Sequence, residues 1–210
     1  MFVAIDDLRE TAVSADEIAA GDLADNSRDQ YRCLACGAPL EFKESDGPQA
    51  DSFRHRDQGE SCVAGGNTSS CHRLAQEIAM KRLYNLLPNT PHLAKVDLEK
   101  RIGGRSDFVI ADLLSESARV VVEIIYQNSH LSLQRRLRTL FDEGYAVMIV
   151  VVTNARISPD RLDHHLKQIG QIRVGRFDPT TWSLSLGSLI RPDTVDLDAA
   201  VWDILPNYCS

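Results

Sequence analysis

No apolar run in this chain approaches the ~20 residues needed to cross a bilayer. The longest, "YAVMIVVV" at 145–152, reads instead as a strand buried on both faces. The start, "MFVAIDDLRE", is acidic and has no basic stretch of the kind that opens an export signal, so a cytoplasmic location is expected. Positive charge is scarce as well. The formal charge is −7, the isoelectric point is near 5.3, and the bases are mostly Arg with few Lys. That balance excludes a broadly basic, histone-like nucleic-acid binder but leaves room for a local basic groove. Cysteine is limited to five residues. In a reducing compartment their spacing reads as metal binding rather than disulfides. No internal repeat or low-complexity tract is present.

What remains is an ordinary globular composition, 43% hydrophobic and 25% charged over 210 residues. It suits one core-forming domain with a small appended module. Four segments are expected: a strand and helix in 1–30, a zinc-finger-like module in 31–66, a core in 67–155 and an extension in 156–210. In the first, "MFVAI" reads as a strand and "SADEIAAG" as a short helix, with Ser14 as N-cap, Glu17 completing a capping box and Gly21 as stop. "GGNTSS" (65–70) is linker chemistry. "SCHRLAQEIAMKRLYNLLP" then predicts a helix ended by Pro88. Three strand-like runs follow: "HLAKVDLEKRI", "SDFVIAD" and "RVVVEIIYQ". A helix in "LSLQRRLRTLFDEG" closes at Gly144, and "YAVMIVVVT" is a fourth strand. A helix in "SPDRLDHHLKQIG", capped by Ser158 and stopped by Gly170, precedes two short strands joined at "DPT". The order α-β-β-β-α-β with a trailing αββ implies an α/β fold on a mixed sheet: antiparallel hairpins, then a helical crossover to a parallel central strand.

The 31–66 segment presents Cys33-x2-Cys36, then His55 and Cys62, with Cys71 and His72 as rivals for the fourth place. A C-x2-C turn ending in Gly37 sets two thiolates on one edge of a tetrahedron, which a distant pair completes. The segment has few apolar groups, and a structural Zn2+ supplies ordering energy on the order of 10 kcal/mol or more. Such a closed site is structural.

Asp107 and Glu123 interrupt two apolar runs. Strand alternation puts Glu123 on the face of Val121, Ile125 and Gln127, and Asp107 on that of Val109 and Ala111. A hairpin turn centred near Ser115 sets Asp107 opposite Glu123, Cβ atoms about 5 Å apart. Carboxylates so placed repel, and a bridging Mg2+ or Mn2+ relieves them. The competing reading has both acids outward, paired with Arg105 or Arg119.

With these residues in view the chain resembles the competence protein CoiA family, which joins a zinc-finger-like N-terminus to a PD-(D/E)XK restriction-endonuclease-like domain. The carrying stretches are "YRCLACGAPL" (31–40), "SFRHR" (52–56), "HRLAQEIAMKRL" (72–83), "GRSDFVIAD" (104–112) and "VVEIIYQNSHLS" (121–132). They match in order and spacing from near Met1 to about Val152. The resemblance implies metal-dependent phosphodiester cleavage of single- or double-stranded DNA during uptake, recombination or repair, alongside recombination or competence proteins. Asp107 and Glu123 would be the motif acids and metal ligands, and Glu99 or Glu77 would add a carboxylate. The alternative is an inactive DNA-binding adaptor that keeps the fold. The pattern departs in two places: Ser106 replaces the Pro, and Ile125 stands where the Lys is expected. Gln127 lies one step further on the same face and carries no charge. Lys100 falls opposite Asp107 if Gly103–Gly104 forms a two-residue turn, and Glu99 does if the turn has three. His72 and Gln76 share a helix face, four residues apart. His130, before the second helix, is positioned for a phosphate. Arg135, Arg136 and Arg138, with Lys100, Arg101 and Arg105, form the expected DNA-facing patch.

Overall fold

A computed structural model describes residues 3–18, 30–34, 37–44, 51–56, 70–86, 96–126, 133–153 and 158–199. The chain divides into two compact units, Met1–Thr68 with Glu77–Val96 and Ser69–Gln76 with Asp97–Ser210. The described residues form a mixed α/β fold with two sheets and three α-helices. None of those helices is long and apolar enough to cross a membrane.

In the first unit β1 (Val3–Asp6), β2 (Thr11–Ser14), β3 (Tyr31–Arg32), β4 (Pro39–Lys43) and β5 (Ser52–His55) make an antiparallel sheet of order β2-β1-β3-β4-β5. β1 pairs with β3, Ile5 against Arg32, so the expected division at residue 30 falls inside one sheet. The short helix expected at "SADEIAAG" is a single 3-10 turn, Ala15–Glu17. Glu17 does accept the Ser14 amide at 3.1 Å, as a capping box requires. The backbone is extended again at Ile18, which is buried with Ala15 in the apolar cluster, so no further turn forms; Gly21 lies outside the described residues. Tyr31, Cys33, Leu40 and Phe53 belong to the same cluster, with Phe42 packed against it. The edge of β2 is closed by Asn85 of α1 (Ser70–Leu86), which accepts from Ala12 N at 3.0 Å and donates to Ala12 O at 3.1 Å. Lys81 bonds Glu17 and Ser14 Oγ in place of the Glu77 partner its helical spacing offers.

The second unit is a six-stranded sheet. Its strands are β6 (Val96–Gly103), β7 (Phe108–Ser115), β8 (Val120–Ile125), β9 (Ala146–Val152), β10 (Gly175–Asp178) and β11 (Ser183–Ser185), in the order β11-β10-β9-β8-β7-β6. β7–β8 and β10–β11 are antiparallel, while β8–β9 and β9–β10 are parallel. Because β10 extends the sheet from β9, the expected division near residue 155 also falls within one sheet. The central β9 buries Val147 and Ile149 to Val152 completely, which accounts for its unbroken apolar run.

Between β8 and β9 runs α2 (Leu133–Asp142). Leu133, Leu137, Leu140 and Phe141 fall at helical spacing and enter the main cluster with Val109, Ala111, Val121, Val147 and Ile149. Gly144, at φ +77°, ends this helix: its amide donates to Phe141 O at 2.8 Å, and that of Tyr145 to Leu140 O at 2.9 Å. α3 (Pro159–Leu166) follows Ser158 and adds Leu162 and Leu166 to the cluster.

Candidate nucleic-acid interface

The β7–β8 hairpin sets Leu113 against Val122 and Ser115 against Val120. The pairing ends at Leu113 and Val122: Glu123 is one residue past Val122, whereas Asp107 is six residues before Leu113, roughly 20 Å along a strand. The expected opposition of Asp107 and Glu123 is therefore corrected. It required the turn to be centred near Ser115, but Leu113, Leu114 and Ser115 are buried and stay in the strand. The turn is displaced to residues 116–119, with Arg119 at φ +54°.

Glu123 shares a face with Val121 and Ile125, which belong to or pack on the cluster under α2. It is only 4% exposed. Arg136 of α2 meets it, with Nε 3.0 Å from Oε2 and Nη2 on the same oxygen. Arg136 Nη2 also donates to Ile110 O at 2.8 Å. Burial pushes the Glu123 carboxyl up to about 8; Arg136 opposes the shift and Asp112 adds to it. Its Oε1 is buried with no hydrogen-bond partner. Asp107 is 65% exposed and bonded to Arg135 at 2.9 Å. The two acids that break the apolar runs are thus each matched to an arginine from one helix. Those arginines are neither the expected Arg105 nor Arg119.

Asp112 turns the other way. Val109 and Ala111 enter the cluster under α2, so alternation points Asp112 away from it. Leu114 returns to that cluster, so the pattern slips by one residue at Asp112–Leu113, as at a β-bulge. Asp112 Oδ2 accepts from Ile124 N at 2.7 Å. Its Oδ1 takes His72 Nε2 at 2.9 Å and Gln76 Nε2 at 3.3 Å, both from the first turns of α1. The Cys71 thiol beside it raises the Tyr126 phenol above its usual range. The slip takes Asp112 and Glu123 out of direct opposition, and they leave the sheet by opposite faces. Among the described residues no three of His, Cys, Asp and Glu converge as a metal-holding group.

Beside Asp112 the same face is open. Phe108 is 36% and Ile110 50% exposed, at alternating positions that point with Asp112. The guanidinium of Arg101 lies 3.9 Å from the Phe108 ring centroid and is tied to Gly104 O and Arg105 O at 3.0 and 3.1 Å. Arg105 is exposed and makes no ion pair among the described residues. The expected basic patch is therefore split. Arg135, Arg136 and Arg138 are matched by Asp107, Glu123 and Asp198, whereas Arg101 and Arg105 face solvent.

Other expected site residues are dispersed. Lys100 is 3.8 Å from Asp97 and half-exposed. Glu99 adopts φ +49° on β6. Glu77 is buried. Cys33 is buried, its carbonyl accepting Gly37 N at 2.8 Å and its amide donating to Ala38 O at 2.9 Å. His55 pairs with Leu40, which pairs with Tyr31, so Cys33 and His55 share one face of the first sheet. Cys36, Cys62, Gln127 and His130 lie outside the described residues. Sequence reasoning missed Asp112, although its signal was present: an acid set between Ala111 and two leucines, within reach of a helix carrying His72 and Gln76 on one side.

Comparison of the chain with models of known families, with curated proteins and with solved structures finds no match.

Proposed function

We propose that the chain is a DNA-binding adaptor built on a PD-(D/E)XK-like frame, resembling the competence protein CoiA family in arrangement and lacking its hydrolytic pair. The frame is supported by the order α1-β6-β7-β8-α2-β9 with a parallel β8–β9 step. The observation that carries the reading is the open strip of Phe108 and Ile110 with Arg101 laid on the phenyl ring. An aromatic face stacks on unpaired bases at about 1–3 kcal/mol each, and adjacent guanidinium groups meet the backbone phosphates. With a net charge of −7, binding rests on this local strip and weakens steeply with salt. Asp107 and Glu123 do not fit a shared Mg2+ or Mn2+, since each is engaged by its own arginine and the two are out of register; no hydrolytic step is built on them. A structural zinc on Cys33, Cys36, His55 and Cys62 remains part of the proposal, supported by the common face of Cys33 and His55.

The second reading is a metal-dependent nuclease, favoured by the unpartnered Oε1 of Glu123. One experiment separates the two. Fluorescence anisotropy with a labelled single-stranded oligonucleotide is expected to show salt-dependent binding, weakened about tenfold by Phe108→Ala. No strand cleavage is expected with Mg2+ or Mn2+. Absence of binding at low salt overturns the adaptor, and Mn2+-dependent cutting abolished by Glu123→Gln establishes the nuclease.

A further inference from the structure

Away from the Asp112 face, the second unit has a cavity of about 490 Å3 at the C-terminal end of α3, where the 186–188 segment crosses the chain leading into β10. Its size is that of a small-molecule pocket. One wall is cationic. Arg173 is exposed, and its guanidinium makes no ion pair or side-chain hydrogen bond among the described residues. Lys167 stands beside it, held 2.6 Å from Asp163. The backbone of Arg173 is clamped at both ends of one residue: its amide donates to Ser188 Oγ at 3.0 Å, and its carbonyl accepts Ser188 N at 2.7 Å. Ser188 Oγ is thereby an acceptor that still carries a proton to donate. Leu186, half-buried, adds an apolar side chain to the lining, while Ile172 is 2% exposed and packed into the main cluster. Two cations and a hydroxyl donor beside an apolar side chain match a phosphate attached to a flat or apolar group.

The chain builds this geometry at a cost in sequence freedom. A Cβ at Gly187 would lie 2.5 Å from Arg173 O and 2.6 Å from Gly175 N, so only glycine lets the 186–188 segment approach Arg173 this closely.

We infer that this cavity binds a small phosphomonoester of mononucleotide size, with Arg173, Lys167 and Ser188 on the phosphate and Leu186 against the remainder. The site is separate from the stacking strip and does not depend on it.

The test is a titration of the isotope-labelled full chain with inorganic phosphate, adenosine, adenosine monophosphate and a short single-stranded oligonucleotide, followed by amide chemical shifts. Adenosine monophosphate is expected to shift the Gly187 and Ser188 amides and to bind more tightly than phosphate or adenosine. Arg173→Ala should weaken it about tenfold while leaving oligonucleotide binding unchanged. Phe108→Ala should do the reverse. The proposal is overturned if millimolar adenosine monophosphate leaves those amides in place, or if Arg173→Ala binds it as well as the parent. A shift with the oligonucleotide alone also overturns it, since the pocket would then be part of a nucleic-acid track.

Discussion

Glu123 is where the residue scale has a measurable consequence. Its carboxyl sits near 8 in the folded chain because burial disfavours the anion more than Arg136 stabilises it. In the unfolded chain it titrates near the ordinary glutamate value of about 4.3. Between those two values the folded state holds the extra proton. Stability is therefore highest below the unfolded value, falls as pH rises through the window, and levels off above about 8. Glu123→Gln is expected to flatten this dependence, with a difference from the parent of up to about 1.4 kcal/mol per pH unit; chemical denaturation at several pH values between 5 and 8.5 measures it. Parallel slopes in the two proteins would contradict the burial argument. The face on which Glu123 lies was legible from strand alternation, whereas Asp107 falls just before β7, at a bend, and is 65% exposed. Their separation was not legible, because register depends on whether Leu113 and Leu114 are buried, and local sequence does not say so.

Elements were more legible than the contacts between them. The apolar spacing of α2, its Gly144 stop and the continuous run of β9 are local signals, and each appears where the sequence put it. Gly144→Ala is expected to cost about 1 kcal/mol, because φ +77° strains any residue with a Cβ. An unchanged urea midpoint would show that the helix end relaxes freely. β2 went unread because "TAVS" is four residues long with one polar end, and its pairing with β1 and the side chain of Asn85 support it from outside. The 3-10 turn at Ala15 has the same explanation: the cluster that buries Ile18 outweighs a capping box that by itself would start a helix.

For the molecule as a whole, the proposed zinc is testable apart from DNA. About one equivalent of zinc is expected to purify with the chain, and chelation should lower the melting temperature; Cys33→Ser should bind less zinc and melt at the chelated value. Zinc-free protein indifferent to chelator would leave Cys33 a buried core thiol. The sequence alone determined which segments of the second unit are helix and strand, that the central strand is buried on both sides, and that charge does not favour a broad basic binder. Those properties follow from neighbours a few residues apart. Only the tertiary structure decided which carboxylate meets which arginine, that Asp112 turns to His72 and Gln76, and that Phe108 and Ile110 stay open to solvent. The reason is that strand register, and with it every cross-strand and helix-to-sheet partnership, is set by the burial of whole faces at once, and a shift of a few residues exchanges one partner for another without altering any local pattern.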